Sequence, residues 1–252
     1  MTEVAPPNVI LLRSPDDPDP YVAALGEVGL RGVCRPVLRF VFPADEALRD
    51  RLQNRGQYGG LVATSPRAAH ALRRIFDPDG TIHKKWETAP AYVVGPKTAD
   101  QFRDLSFDVR GEKTGSADVL VRLLRDESPS TPLLFLAGNR RRDTVPDGLR
   151  AADIAFEEET VYETQPRTDL TLPPADGDTW LVFFSPSGLE ALQRSGVGGL
   201  DDYRIAAIGP TTAAELQAVE CTVDAVAEMP SPQHLAQAIA EHTPAAARPD
   251  DT

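Results

Sequence analysis

Short unbroken apolar runs recur along the chain. Each is followed by a turn and then by apolar positions three and four apart. Leu181-Val182-Phe183-Phe184 is one such run, and four consecutive apolar residues read as a strand buried on both faces. Ser185-Pro186 follows it, a serine placed to cap a helix with proline at the first helical position. Leu189 and Leu192 then start a helical stripe. Leu61-Val62-Ala63-Thr64-Ser65-Pro66-Arg67-Ala68 has the same layout 120 residues earlier. Val93-Val94-Gly95-Pro96-Lys97-Thr98-Ala99 is echoed 114 residues on by Ala207-Ile208-Gly209-Pro210-Thr211-Thr212-Ala213. Ser116-Ala117-Asp118 with Leu120 matches Ser231-Pro232-Gln233 with Leu235 at a spacing of 115. Three ordered matches at nearly one spacing indicate two copies of one domain.

The pattern predicts strands over 8–12, 37–42, 61–63, 133–136, 156–164 and 181–184. It predicts helices over 21–28, with Gly29 as the stop, and over 44–54, 117–124 and 146–152. From Leu61 to Leu124 strand and helix alternate three times, which implies parallel sheets covered by helices on both faces. Phe135–Thr164 also resembles Leu11–Leu38 at a spacing of 124. The repeat is therefore permuted. One copy runs unbroken through the middle, and the other is split around it. The fold expected is α/β, two similar flavodoxin-like parallel-sheet domains joined by a two-stranded β connector. Residues 1–36 plus 167–252 form the discontinuous domain, 45–157 the inserted one, and 37–44 with 158–166 a connector acting as a hinge. The Pro-, Ala- and Asp-rich stretch 245–252 is expected to be disordered.

Two cysteines, Cys34 and Cys221, sit in no metal or redox spacing, and Met1 to Pro7 lacks the basic and apolar regions of a signal peptide. A cytoplasmic protein is expected, and the absence of a long apolar run argues against a membrane span. The net charge of −12 disfavours nucleic acid as partner. Its distribution adds more. Residues 37–168 are close to neutral, and the flanks carry the whole imbalance. Cations for an anionic ligand must therefore come mainly from the middle of the chain.

In open parallel sheets ligands bind beyond the carboxyl ends of the strands. Both Ser-Pro turns and both Gly-Pro-x-Thr turns lie there, and each opens a helix with unsatisfied N–H groups and a positive dipole end. Four such turns sharing one cleft would suit a ligand with several carboxylates, although Ser65 and Ser185 serve equally well as helix caps alone. Arg13, Arg67, Lys97, Arg140, Arg141 and Arg142 are the candidate cations, alongside Asn139 in the basic turn 138–143. Guanidinium groups match carboxylates with two parallel hydrogen bonds, but any of these residues could equally be solvated surface. His70, His83, His234 and His242 form no metal spacing, and no phosphate loop, dinucleotide fingerprint or nucleophile elbow occurs. No metal or cofactor is therefore expected. Tyr162, on the second crossing, could donate a proton or hydrogen bond to a leaving hydroxyl without a metal. It could also be an aromatic packed on its strand.

On Asp19-Pro20-Tyr21-Val22, Thr64-Ser65-Pro66-Arg67-Ala68, Val161-Tyr162-Glu163-Thr164, Phe183-Phe184-Ser185-Pro186-Ser187-Gly188 and Ala207 to Ala213, the chain resembles the uroporphyrinogen-III synthase family. The resemblance spans nearly the whole chain in family order. It implies two α/β domains, no cofactor or metal, and a lyase reaction. In that reaction hydroxymethylbilane, a linear tetrapyrrole with eight carboxylates, loses water and closes through a spiro intermediate with its last ring inverted. It implies that Tyr162 assists loss of the hydroxyl, and that Ser65, Thr98, Ser185, Ser187 and Thr212 line the site. The partner implied is the small-molecule substrate, handed over by hydroxymethylbilane synthase to a monomer. The alternative is a non-catalytic module that senses a tetrapyrrole or other anion. Such modules usually carry an effector domain, for which 252 residues leave little room.

Overall fold

The computed structural model describes residues 8–43, 46–76, 80–173 and 177–243. The predicted tail 245–252 and the first two residues of the helix predicted from Ala44 lie outside them. The chain divides into two compact units. One holds the residues up to Arg39 together with those from Gln165 onward, and the other holds Phe40–Thr164.

The first unit is built on β1 (Val9–Leu12), β2 (Gly32–Cys34), β9 (Trp180–Phe183), β10 (Arg204–Ala207) and the two-residue β11 (Ala225–Val226). Its sheet runs β11-β10-β9-β1-β2 with every pairing parallel. In chain order that is 2-1-3-4-5, the flavodoxin-like order. Helices α1 (Pro20–Glu27) and α10 (Pro232–His242) cover one face, where Leu25, Leu235 and Ile239 pack on Val9, Leu11, Trp180 and Val182. Helices α8 (Ser187–Arg194) and α9 (Pro210–Gln217) cover the other, where Leu192 and Leu216 meet Ile10, Leu12, Leu181 and Phe183. Both faces of β1 and β9 are therefore buried, which is why these strands read as unbroken apolar runs.

The second unit contains β4 (Gly60–Ala63), β5 (Pro90–Val93), β6 (Asp108–Arg110), β7 (Leu133–Gly138) and β8 (Phe156–Pro166), with β3 (Leu38–Val41) entering at its edge. The order is β3-β8-β7-β4-β5-β6. The five strands β4 to β8 read 3-2-1-4-5 in chain order. Starting the count at β7 turns this into 2-1-3-4-5, so the two sheets are circular permutations of one another, as the sequence spacings required. Helices α2 (Glu46–Gln53), α3 (Pro66–Ile75), α4 (Thr81–Trp86) and α5 (Pro96–Arg103) pack on one face. Helices α6 (Ala117–Glu127) and α7 (Thr144–Ala151) pack on the other.

One local reading is corrected. Ser185 does not cap its helix. Helix α8 starts at Ser187 with Pro186 at the cap and no side-chain cap bond, while Ser185 Oγ lies 2.6 Å from Ser187 Oγ. In the first copy the residue two after the serine is Arg67, whose backbone N–H donates to Ser65 Oγ at 3.3 Å. In the second copy that residue carries its own hydroxyl, which competes with the backbone for the serine. The short strand β2 and the helix α4 carry no clear apolar period, and the sequence pattern passed over both.

Candidate active site

A crevice opens in a parallel sheet where two neighbouring strands send their connections to opposite faces. In the second unit those strands are β4 and β7, paired Leu61↔Leu134 and Ala63↔Leu136, with α3 and α7 following them on opposite faces. Ser65 and Arg67 follow β4, and Asn139 and Arg140 follow β7. The Ser65 cap orients α3. The half-buried Arg67 guanidinium stacks over the Phe40 ring, 3.5 Å from its centroid, and reaches Ser65 Oγ at 3.5 Å. Burial holds Arg67 below its ordinary pKa, and the nearby Tyr162 side chain opposes that shift.

Tyr162 lies on β8 opposite Gly138, just past a bulge. It belongs to the wall of a cleft of about 410 Å³ in this unit, with Thr64, Ser116, Phe135, Arg140 and Arg142 also lining it. Arg141 reaches the same cleft but is committed. Its Nη2 donates to Glu158 Oε2 at 2.9 Å and its Nη1 to Asp143 Oδ1 at 2.5 Å, and hydrogen bonding to Glu158 raises its pKa. Asn139 is turned to the backbone of β8: its Oδ1 accepts from Thr164 N at 2.8 Å.

The equivalent crevice in the first unit lies between β1 and β9, paired Leu12↔Phe183. Arg13 follows β1, and Ser185 and Ser187 follow β9. Arg13 Nη1 donates to Asp19 Oδ2 at 2.8 Å and Nη2 to Asp16 Oδ2 at 2.6 Å, while the rings of Tyr21 and Phe184 flank the guanidinium. Burial alone would lower the Arg13 pKa, but the bond to Asp16 and the charge of Asp19 outweigh it. Arg13 is thus already matched by carboxylates.

The Gly-Pro turns flank these crevices on β5 and β10. Neither Gly95 nor Gly209 provides a side-chain cap, so the first amides of α5 and α9 keep no side-chain acceptor from the cap position. Thr98 and Thr212 are buried, 3% and 6% exposed, whereas Lys97 is exposed. Among the described residues, no cluster of three or more His, Cys, Asp or Glu side chains could hold a metal ion, and no helix is long and apolar enough to cross a membrane.

Sequence reasoning passed over Asp19 as the partner of Arg13, the aromatic rings beneath Arg13 and Arg67, and the contact between Gly138 and Tyr162. A glycine closing an otherwise apolar strand was the visible signal for the last of these.

A family model described as uroporphyrinogen-III synthase HemD matches residues 19–237. The chain is 32% identical over 246 residues to a uroporphyrinogen-III synthase of Schizosaccharomyces pombe, covering 92% of this chain and 96% of that protein. It is 31% identical over 204 residues to the Saccharomyces cerevisiae uroporphyrinogen-III synthase, covering 71% and 74%. The solved uroporphyrinogen-III synthetase of Helicobacter pylori matches the fold with a TM-score of 0.59 at 19% identity, over 92% of this chain and 97% of that one.

Proposed function

The chain belongs to the uroporphyrinogen-III synthase family, and on that premise we propose that it converts hydroxymethylbilane to uroporphyrinogen III with loss of water and inversion of the last ring. The observation that carries this reading is the 32% identity to the Schizosaccharomyces pombe protein across 92% of the chain.

The chemistry needs a proton for the leaving hydroxyl, exclusion of water and firm positioning of a flexible polyacid. In the proposed sequence the pyrrole nitrogen lone pair expels the hydroxyl, which takes a proton from the Tyr162 phenol and leaves as water. The terminal carbon becomes an electrophilic azafulvene. The last ring attacks it through its substituted carbon to give the spiro intermediate. One of the spiro bonds breaks, the ring turns over, and reclosure releases the proton that restores aromaticity.

For the carboxylates, the uncapped amides of α5 and α9 supply dipolar contacts. Thr98 and Thr212 present their backbone N–H groups rather than their buried hydroxyls. Arg67, Lys97 and Arg140 supply charge in the second unit, and Ser65, Ser185 and Ser187 supply hydroxyls. Arg13 and Asn139, which the sequence suggests as direct ligands, have partners that suit them better to holding the site's shape. An unstable linear substrate fits hand-over from hydroxymethylbilane synthase to a cytoplasmic monomer.

The test is an assay coupled to a deaminase that generates hydroxymethylbilane. Product of isomer type III supports the reading, and product of type I alone, the outcome of spontaneous closure, refutes it.

A further inference from the structure

The register of β8 changes next to Tyr162. Ala137 pairs with Thr160, but Gly138 pairs with Tyr162, so Val161 is an extra residue with no partner on β7. Val161 is sunk into the core with Leu134 and Leu136. An insertion of this kind bends a strand and re-aims the side chain after it. Here it brings the Tyr162 ring across the backbone of Gly138. A Cβ on Gly138 would lie 2.5 Å from Tyr162 Cε2 and 2.6 Å from its hydroxyl oxygen, and closer still to Cζ. No side chain other than hydrogen leaves room for the ring in this position.

Past the bulge the strand ladder is held by Asn139. Its backbone N–H donates to Tyr162 O at 3.2 Å, and its side-chain Oδ1 accepts from Thr164 N at 2.8 Å. Its Nδ2 reaches Thr164 O at 3.5 Å, the outer limit of a hydrogen bond. The side chain therefore stands in for the next peptide of β7. One residue grips the backbone at Tyr162 and again two residues later, so the two peptides that follow the tyrosine are fixed.

We propose that Gly138 and Asn139 are positioning residues that set the aim of the Tyr162 phenol, Gly138 by leaving space for the ring and Asn139 by clamping the strand past the bulge. The proposal rests on the reading that Tyr162 takes part in the reaction. A displacement of ~1 Å at a reacting group can cost on the order of 10²-fold in rate, so the clamp acts on turnover rather than on substrate binding.

The test is steady-state kinetics of the full chain in the coupled assay for Tyr162→Phe, Asn139→Ala, Asn139→Asp, Gly138→Ala and the double variant Asn139→Ala/Tyr162→Phe, each checked for folding by circular dichroism. Expected are a kcat at least tenfold lower for Asn139→Ala and Gly138→Ala with KM within about twofold. Recovery of most of kcat is expected in Asn139→Asp, which keeps the oxygen that accepts from Thr164. Asn139→Ala should cause no further loss when Tyr162 is already Phe. A Tyr162→Phe variant at wild-type rate would remove the tyrosine from the reaction and this proposal with it. A slow Tyr162→Phe variant beside Asn139→Ala and Gly138→Ala variants of wild-type kcat would overturn the positioning role alone. So would losses that multiply in the double variant.

Discussion

Asp19 is a single carboxylate that holds together the end of β1 and the start of α1, and its removal should be costly. Its Oδ1 caps α1 by accepting from Tyr21 N at 3.0 Å and Val22 N at 3.1 Å. Its Oδ2 accepts from Asp16 N at 2.9 Å and from Arg13 at 2.8 Å, and its side chain is only 7% exposed. Replacement by alanine forfeits a helix cap, about 1 kcal/mol. It also forfeits bonds to a charged acceptor at about 1.5–3 kcal/mol each. Arg13 keeps Asp16 as a partner, so the sum expected is roughly 3 kcal/mol, which for a chain of this size lowers Tm by roughly 10 °C. Asn at this position keeps an oxygen for the cap and should lose about half as much. Burial pushes the Asp19 carboxyl up, but the N–H groups of Asp16 and Val22 and the Arg13 cation outweigh it, so its folded pKa lies below the ordinary value. Stabilisation from a depressed carboxylate is present above its unfolded pKa of about 3.9 and lost as pH falls through the folded value. The gap between wild type and Asp19→Ala should therefore be full at pH 7 and narrow below about pH 4. Urea unfolding followed by circular dichroism across that range measures it. A loss at pH 7 smaller than about 0.5 kcal/mol, the scale of an ordinary surface change, would refute the account.

Tyr162→Phe should lower kcat by about 10²-fold or more, the lower range for loss of a general acid, and should leave the melting curve nearly unchanged, as checked by the coupled assay beside calorimetry. The Cys34 thiol is pushed up to about 11 by burial and then by the charge and hydrogen bond of Asp19. Its reaction with a thiol reagent at pH 8 should be far slower than that of a small free thiol and should speed up in Asp19→Asn, as followed by absorbance. Trp86 is fully buried and its Nε1 donates to Leu52 O at 2.8 Å. Trp86→Phe leaves that carbonyl without its donor and should cost about 2–3 kcal/mol in denaturant unfolding. Ser65→Ala removes the cap of α3 and should cost about 1 kcal/mol. Its effect on KM should stay within a few-fold, because the backbone amides remain.

The layer plan follows from the hydrophobic pattern alone. Strands buried on both faces must be apolar throughout, so β1, β4, β7 and β9 were legible as runs, and the Ser-Pro and Gly-Pro pairs marked the helices after β4, β5, β9 and β10. The spacings between those pairs showed a repeat, and the match of Phe135–Thr164 with Leu11–Leu38 showed it to be permuted, because a duplicated domain keeps its internal distances even when its opening strand is moved. The short β2 escaped because three half-buried residues have no period to read.

Tertiary structure decided what the polar side chains do. Arg13 and Arg141 look like carboxylate-binding residues in the sequence, yet each meets carboxylates of its own chain, Asp16 and Asp19 for one, Asp143 and Glu158 for the other. Ser65 and Ser185 occupy matching places in the repeat and make different bonds because their neighbours two residues on differ. Gly138 stands out in the sequence as a glycine closing an apolar strand, but the ring it makes room for is distant in sequence and is identified only once β8 lies beside β7. A hydrophobic pattern is a local property, set by which faces of an element meet water. A hydrogen-bond partner is chosen among whatever the completed fold brings within about 3 Å, and the chain order alone does not name it.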